Sequence, residues 1–252
     1  MRIYVVTHER VKLDLPEDYV LFQVGAANGE VFCENNDAAG EDCISEKNPN
    51  YCELTAAYWI WKNDKNHDIV GLMHYRRFLT THPFSSSPKY YIGRAKAEKL
   101  LGKYDFIAPP LFKNKPDVKT IMLDGVHERD HDIMREAVAK LYPDCLETFD
   151  GVFAGTRTYF CNIFIARKTE WDAYYAWLFP IFDEMEKHVD MSGYTSRERR
   201  LYGFLSERLF TVYVRRYHKR VKSMRLIYPH KKFWEKVKGK LKKIFGGNRQ
   251  NG

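Results

Sequence analysis

The residues whose types and spacing best suit chemistry are His74, Tyr75, Arg76 and Arg77, which directly follow a short apolar run at residues 69–73. Guanidinium groups bind phosphate oxygens through paired, charge-assisted hydrogen bonds. Open α/β sheets bind ligands at the carboxyl ends of their strands, where this cluster would lie if the apolar run is a strand. We therefore interpret the cluster as a diphosphate-binding site. The alternative is a solvated surface cluster that pairs with neighbouring acids.

A polar loop at residues 34–47 and an aromatic helix precede this cluster. Asn48 and Pro49 predict the start of the helix, because a capping side chain is followed by proline at the first helical position. The helical pattern continues to residue 63. Glu53 lies in the first turn, where a carboxylate either complements the helix dipole or contacts a ligand.

Two more strand ends are predicted to meet the cluster. Residues 3–6 and 19–24 are short apolar runs typical of buried strands. The first is followed by Thr7 and His8, and the second by Gly25. Small or polar residues at such ends let a nucleotide approach the backbone, so we predict that these three residues contact the ligand.

The remaining pattern indicates one α/β domain. The 252 residues, 44% of them hydrophobic, can build a sizeable core. The mixed order of strands and helices predicts a mixed central sheet flanked by helices. Residues 111–126 lack periodicity and are predicted to form a mobile lid or an acceptor loop. We place further strands at residues 104–108 and 158–166, and helices at residues 95–101, 127–141, 170–188 and 196–214.

Positive charge is concentrated in the C-terminal tail. Residues 215–252 contain 14 Lys and Arg and one acid, Glu235, although the whole chain has a net charge of only +8. The preceding residues are therefore net acidic, which disfavours a nucleic-acid groove across the fold. The apolar side chains of residues 231–245 fall largely on one helical face and seven lysines on the rest. This pattern is typical of a helix on an anionic bilayer; a helix docked on the body or a disordered basic end is the alternative.

The cysteines and the N-terminus indicate the compartment. Five cysteines form no C-x-x-C pair, which indicates reduced thiols in a reducing compartment. The N-terminal apolar run is too short for a signal peptide, and no run approaches the roughly 18 residues needed to cross a bilayer. We expect a cytoplasmic or peripheral protein.

Several common catalytic signatures are absent from the sequence. It contains no G-x-x-x-x-G-K-[ST], G-x-G-x-x-G, G-x-S-x-G or H-E-x-x-H pattern, which excludes P-loop, classical Rossmann, serine hydrolase and zincin sites. One D-x-D pattern, Asp130 to Asp132, has the ligand type that would hold a divalent metal against a diphosphate. It begins a predicted helix rather than ending a strand, so we assign helix capping to it and no metal site.

Four segments carry a resemblance to a known family: CISEKNPNYCELTAAYWIWKN, VGLMHYRRFL, YFCNIFIARK and YGFLSERLF. Together they resemble the domain of unknown function 4422 family, found among bacterial capsule and exopolysaccharide glycosyltransferases, over roughly residues 1–215. The resemblance implies a single GT-A-like α/β domain. It also implies transfer of a sugar, in some relatives a galactofuranosyl unit, from a UDP-sugar donor to a growing glycan of a capsule, exopolysaccharide or O-antigen.

The resemblance extends to single positions. The matching positions are Asp37, Gly40, Ile44, Ser45, Asn48, Cys52, Glu53, Leu54, Tyr58, Trp59, His74 to Arg77, Asn162, Gly203, Glu207 and Arg208. Cys43 departs from the pattern, where an Asn is expected. From these matches and the strand ends, the predicted donor-binding residues are Thr7, His8, Gly25, Asp37, Asn48, Glu53, His74, Tyr75, Arg76 and Arg77.

The resemblance also implies catalytic roles. GT-A-like enzymes usually place a metal-binding D-x-D at the end of a central strand, where this chain has its cationic cluster. We expect Arg76 and Arg77 to neutralise the leaving diphosphate in place of a metal, although the sequence leaves a requirement for Mn²⁺ or Mg²⁺ open. An inverting transfer, which we favour over a retaining one, needs a base, for which the candidates are Asp132 and Glu207. The predicted acceptor-binding residues are His131, Asn162 and Arg208.

The tail gains a role from this resemblance. A lipid-linked oligosaccharide acceptor at the inner face of the cell membrane would explain a basic amphipathic helix at residues 231–245. We therefore divide the chain into a transferase domain at residues 1–215 and a membrane-associating tail at residues 216–252. The alternatives are a non-catalytic glycan-binding module, suggested by the 15% aromatic content, and a nucleic-acid binder. The acidic body disfavours the second, and we expect no nucleic-acid partner.

Overall fold

A computed structural model of the chain describes residues 1–82 and 85–229. The strands are β1 (Arg2–Thr7), β2 (Tyr19–Gln23), β3 (Ile69–His74), β4 (Phe78–Thr80), β5 (Phe106–Ala108), β6 (Phe112–Lys113), β7 (Arg157–Thr158), β8 (Phe164–Arg167), β9 (Val221–Ser223) and β10 (Arg225–Ile227). The helices are α1 (Asn48–Tyr51), α2 (Leu54–Asn63), α3 (Arg94–Leu101), α4 (Val118–Met122), α5 (Glu128–Leu141), α6 (Leu146–Phe153), α7 (Lys168–Met185) and α8 (Leu201–Arg216). The fold is mixed α/β, as the sequence pattern predicted.

A six-stranded mixed sheet forms the centre of the fold, with strand order β2-β1-β3-β8-β5-β9. β1 pairs in parallel with β2 and with β3, so the carboxyl ends of these three strands lie at the same end of the sheet. β8 runs antiparallel to β3, so the residues that precede β8 reach that end as well. Four segments that are distant in sequence therefore meet at one end of the sheet.

Apolar side chains cover the sheet on both faces. Tyr4 and Val6 of β1 belong to the larger buried cluster, together with residues of α2, α7 and α8. Ile3 and Val5, which point the other way, pack with residues of α3. Within the larger cluster, the ring of Phe164 stacks on that of Phe210, with centroids 5.0 Å apart. Many of the aromatic residues therefore belong to an ordinary core.

The predicted helix at residues 48–63 is wrong at one point, because the chain breaks at Cys52 into α1 and α2. Cys52 has a φ of 54°, in the left-handed region that a non-glycine residue rarely adopts. The side chain of Asn48 donates from Nδ2 to the carbonyl oxygen of Cys52 at 2.7 Å, which satisfies this carbonyl at the break. Glu53 consequently occupies the N-cap position of α2, where its side chain makes no capping hydrogen bond.

Two other predicted segments differ from the structure. The strand predicted at residues 158–166 is divided into β7 and β8 by a turn in which Cys161 has a φ of 65°. The predicted lid at residues 111–126 contains β6 and α4, and β6 pairs with β7 in a small antiparallel ribbon. Local periodicity missed both features because each of these elements is only two to five residues long.

Two strands lie beyond residue 215, where the sequence predicted the end of the transferase domain. β9 pairs in parallel with β5, and β10 pairs antiparallel with β4, so residues up to Ile227 pack with the body. The predicted amphipathic helix at residues 231–245 lies outside the described residues. Within the part of the chain that the structure describes, no helix is both long and apolar enough to cross a membrane.

Candidate functional site

A cleft of ≈ 580 Å³ opens at the carboxyl ends of β1 and β3. Thr7 and His8 follow β1 into it, and the cluster from His74 to Arg76 lines it after β3. Asn48, at the start of α1, and Glu53, just after the break that follows α1, line another part of the cleft. The parallel pairing of β1 with β3 thus brings together two of the three strand ends that the sequence singled out, whereas Gly25, after β2, does not line this cleft.

A second cavity of ≈ 290 Å³ adjoins the cleft. Glu53, His74 and Arg200 line both cavities. Arg77 and Glu207 line the second cavity but not the first. Gly203 of α8 also borders it. A Cβ at this position would lie only 3.1 Å from the Cys52 Sγ, so glycine lets α8 approach Cys52 closely. The two cavities are therefore parts of one site that meet at Glu53 and His74.

Guanidinium groups dominate the charge of the larger cavity. Arg76, Arg199 and Arg200 line it, and its carboxylate is that of Glu53. The guanidinium of Arg76 lies over the ring of Tyr75, with its Cζ 4.6 Å from the ring centroid, so a cation–π contact supports it. The arrangement suits a ligand with at least two negative charges.

Two cysteine thiols contact the arginines of the site. Arg200 Nε donates to the Sγ of Cys52 at 3.3 Å, and Arg77 Nη1 donates to the Sγ of Cys161 at 3.0 Å. Burial raises the pKa of both thiols to about 11, so both are neutral at pH 7. A neutral thiol fixes a guanidinium without cancelling its charge, so the charge stays available to an anionic ligand.

A hydrogen-bonded chain fixes Glu53 where the cavities meet. Asn162 Nδ2 donates to Glu53 Oε1 at 2.8 Å, and Ser206 Oγ donates to Asn162 Oδ1 at 2.8 Å. His74 Nε2 lies 3.6 Å from the same Glu53 oxygen and is buried without a hydrogen-bond partner. Burial lowers the pKa of His74, and Arg77 and Arg76 lower it further, against the effect of Glu53, so the imidazole is neutral at pH 7.

Glu207 and Arg208 form a buried ion pair beside the second cavity. Arg208 Nη1 lies 2.5 Å from Glu207 Oε2, and the backbone N–H of Cys161 donates to Glu207 Oε1 at 2.9 Å. Burial raises the pKa of Glu207. The Arg208 guanidinium also packs over the ring of Phe160 and lines neither cavity. The structure therefore does not bring Arg208, a predicted acceptor contact, to either cavity. Instead, Arg208 holds the Glu207 carboxylate in place.

Asp37, a predicted donor contact, lies away from both cavities. Its side chain is fully buried and accepts hydrogen bonds from the backbone N–H groups of Gly25, at 2.7 Å, and Ala26, at 3.0 Å. The hydroxyls of Ser45 and Thr55 also donate to it. Gly25 has a φ of 70°, so Asp37 stabilises a left-handed turn after β2 that only glycine adopts without cost.

The D-x-D residues and the intervening histidine also lie outside the site. Asp130 is buried and accepts from the hydroxyl of Tyr194, whereas the Asp132 side chain is 58% exposed and contacts His131 Nδ1 at 2.9 Å. None of the three lines either cavity, since α5 packs on α7 away from the strand ends. The predicted base Asp132 and acceptor contact His131 are therefore not brought to the site. Across residues 1–82 and 85–229, no group of three or more His, Cys, Asp or Glu side chains could hold a metal ion.

Comparison with known proteins identifies the family. The family model described as "Domain of unknown function (DUF4422)" matches residues 2–220. The chain belongs to the DUF4422 family. A solved apo structure of WbbM, a bifunctional glycosyltransferase, is similar to this chain with a TM-score of 0.81 and 30% sequence identity. The match covers 90% of this chain and 45% of WbbM, and comparison with curated proteins gave no match.

The similarity shows that this DUF4422 chain has a GT-A-like fold. Half of the family-motif positions singled out in the sequence line the two cavities, including Asn48, Glu53, His74 and Glu207, and Asn162 contacts Glu53. The sequence pattern did not single out Arg199 and Arg200, which line the larger cavity. The available signal was the Arg-Arg pair, which Leu201 separates from the YGFLSERLF segment and which was interpreted only as part of a helix.

Proposed function

We propose that this chain is a glycosyltransferase that moves a sugar from a nucleoside diphosphate sugar to a glycan acceptor. The observation that carries the proposal is the larger cavity, where Arg76, Arg199 and Arg200 surround a space of ≈ 580 Å³ at the ends of parallel strands. This volume lies within the usual range for small-molecule sites. Membership of the DUF4422 family and similarity to WbbM support the same class of reaction.

We further propose a uridine diphosphate donor, with galactofuranose, then galactose, as the first sugars to test. The resemblance to capsule, exopolysaccharide and O-antigen enzymes supports this choice. Guanidinium groups would stabilise the charge that develops on the leaving diphosphate. The strand end carries His74 to Arg77 rather than carboxylates, which does not fit a divalent metal, so we assign the charge stabilisation to arginine.

Uridine diphosphate is expected to stabilise the protein against heat with or without a chelator. A ligand at 100 times its Kd adds about 2.7 kcal/mol, which corresponds to a Tm increase of roughly 5 °C for a domain of this size. The measurement is a thermal-shift series with uridine, guanosine and cytidine diphosphates in EDTA and in Mn²⁺. Sugar transfer from the matching nucleotide sugars is then followed by mass spectrometry of the acceptor.

Guanosine and cytidine diphosphates are the matched controls, because they carry the same diphosphate on a different base. Equal shifts with all three would contradict the choice of uridine and leave the diphosphate site intact. Stabilisation only with Mn²⁺ would contradict arginine as the group that replaces a metal. Binding of glycans without binding of any nucleotide would instead indicate a non-catalytic glycan-binding module.

We also propose that the acceptor is a lipid-linked oligosaccharide and that the basic tail holds the protein to the inner face of the cell membrane. Each lysine near an anionic surface contributes about 1 kcal/mol of attraction. Deletion of residues 231–252 is therefore expected to abolish sedimentation with phosphatidylglycerol vesicles at low salt. Phosphatidylcholine vesicles are the control, and equal binding of both proteins to anionic vesicles would contradict the role of the tail.

A further inference from the structure

Two carboxylates, those of Glu53 and Glu207, line the smaller cavity, and their surroundings differ. Both oxygens of Glu207 are engaged: Oε1 accepts from the backbone N–H of Cys161, and Oε2 is paired with Arg208. Glu207, the remaining base candidate from the sequence, therefore has no unengaged oxygen to accept a proton from the acceptor hydroxyl.

Glu53 has one fixed oxygen and one unengaged oxygen. Asn162 holds Oε1 at 2.8 Å, and Asn162 is itself fixed by Ser206 and by the carbonyl of Gly203 at 3.1 Å. Across the described ranges, 1–82 and 85–229, no hydrogen bond engages Oε2 of Glu53. The side chain is 11% exposed and lines both cavities. An oriented carboxylate with a free oxygen is the arrangement that general-base catalysis requires.

The neighbours of Glu53 are compatible with this role. The imidazole of His74, 3.6 Å from Oε1, is neutral because burial lowers its pKa, so it does not pair with the carboxylate as a cation. Arg200 is fixed by the Cys52 thiol on the larger cavity, where the diphosphate of the proposed donor would bind. The smaller cavity on the other side of Glu53 has room for the acceptor hydroxyl.

We propose that Glu53 is the catalytic base of the transfer and that Asn162 is its positioning residue, an inference that rests on the proposed function. The acceptor hydroxyl oxygen attacks the anomeric carbon of the donor sugar, and its proton passes to Oε2 of Glu53. The bond between that carbon and the diphosphate oxygen breaks, and its electron pair leaves with the nucleoside diphosphate. The anomeric configuration is inverted, and no further reactant is needed.

Substitutions of Glu53 separate this role from a structural one. Glu53→Gln keeps the length of the side chain and an oxygen that accepts from Asn162, but it cannot accept a proton. Glu53→Asp keeps the carboxylate and shortens the side chain. We expect kcat to fall by about 10²–10⁴-fold in Glu53→Gln and by less in Glu53→Asp. Glu41→Gln, in the exposed polar loop, is the matched control and should leave kcat unchanged.

The pH profile gives a second readout that a structural role would not change. We expect an acid limb in kcat/KM for the wild-type protein and for Glu53→Asp, and no such limb in Glu53→Gln. Asn162→Ala removes the hydrogen bond that orients the carboxylate, so kcat should fall while KM for the donor changes little. Uridine diphosphate should still stabilise all three variants against heat.

Several results would overturn the inference. The first is a Glu53→Gln protein that is at least as active as Glu53→Asp. The second is a Glu53 variant that loses nucleotide binding together with activity. The third is a product that retains the anomeric configuration of the donor sugar. If Glu53→Gln does not fold, Glu53→Asp and Asn162→Ala decide, and an unchanged kcat in Asn162→Ala counts against the proposal. A wild-type protein that neither binds nor uses any nucleotide sugar would instead contradict the proposed function itself.

Discussion

Replacing Asp37 by Ala is expected to lower the free energy of unfolding by about 2–6 kcal/mol, because two buried backbone donors lose their acceptor. The Asp37 carboxylate is fully buried and accepts from two backbone N–H groups and two hydroxyls. The hydroxyls can turn to other acceptors, but the N–H groups of Gly25 and Ala26 cannot, and each unsatisfied buried donor costs about 1–3 kcal/mol. Urea denaturation followed by circular dichroism measures the loss.

The control for this prediction is Glu41→Ala, which removes an exposed carboxylate from the same loop and should change stability by less than about 0.5 kcal/mol. Asp37→Asn should fall between the two, because it keeps one acceptor oxygen and adds an N–H group that faces other donors. A stable Asp37→Ala protein that no longer binds nucleotide would show that Asp37 is a donor contact, as the sequence predicted.

The strand ends of the site could be predicted because their signals are local. Residues 69–73 form a continuous apolar run, and polar residues follow it at once, so both the strand and its end are visible in one window. The general rule for open α/β sheets then places the ends of parallel strands together. The parallel pairing of β1 with β3 brings Thr7 and His74 to one cleft in this way.

Asp37 and Arg200 were misjudged because their environments depend on contacts across the chain. The loop residue Asp37 looks like a ligand contact until the turn at Gly25 closes around its carboxylate. Arg200 gains its place from a hydrogen bond to Cys52, which is 148 residues away in sequence. That contact depends in turn on the break after α1, where Gly203 allows α8 to approach Cys52 closely. Helical periodicity contains no information about such a break.

The same long-range contacts determine which carboxylate is free to react. Sequence position suggested Asp132 because it lies in the first turns of a predicted helix next to the predicted lid, but α5 places it away from both cavities. Glu207 was recognised by its motif, and its pairing with the adjacent Arg208 was foreseen as an alternative. The partner of Glu53 is Asn162, 109 residues away, and only the fold reveals that this bond leaves the second oxygen of Glu53 unengaged.

Removing the arginines of the larger cavity is expected to abolish tight binding of uridine diphosphate. A charge-assisted hydrogen bond contributes about 1.5–3 kcal/mol, so Arg76→Ala and Arg200→Ala should each raise Kd by roughly 10- to 100-fold, and the double variant by more than either. Isothermal titration calorimetry measures the loss of affinity. Repeating the titration at low and moderate salt tests its electrostatic origin, because screening by salt should weaken binding more in the wild-type protein than in the variants.

Arg197→Ala is the matched control, since Arg197 lies in the same segment but pairs with Asp124 at 2.8 Å and lines neither cavity. Arg200→Lys keeps the charge and loses the planar fork, so it should recover only part of the affinity if the contact to phosphate is bidentate. Cys52→Ser keeps a partner for Arg200 and should bind nearly as well as the wild-type protein. Unchanged affinity in the double variant would mean that the diphosphate binds elsewhere. It would also contradict the proposal that these arginines stabilise the leaving diphosphate in place of a metal.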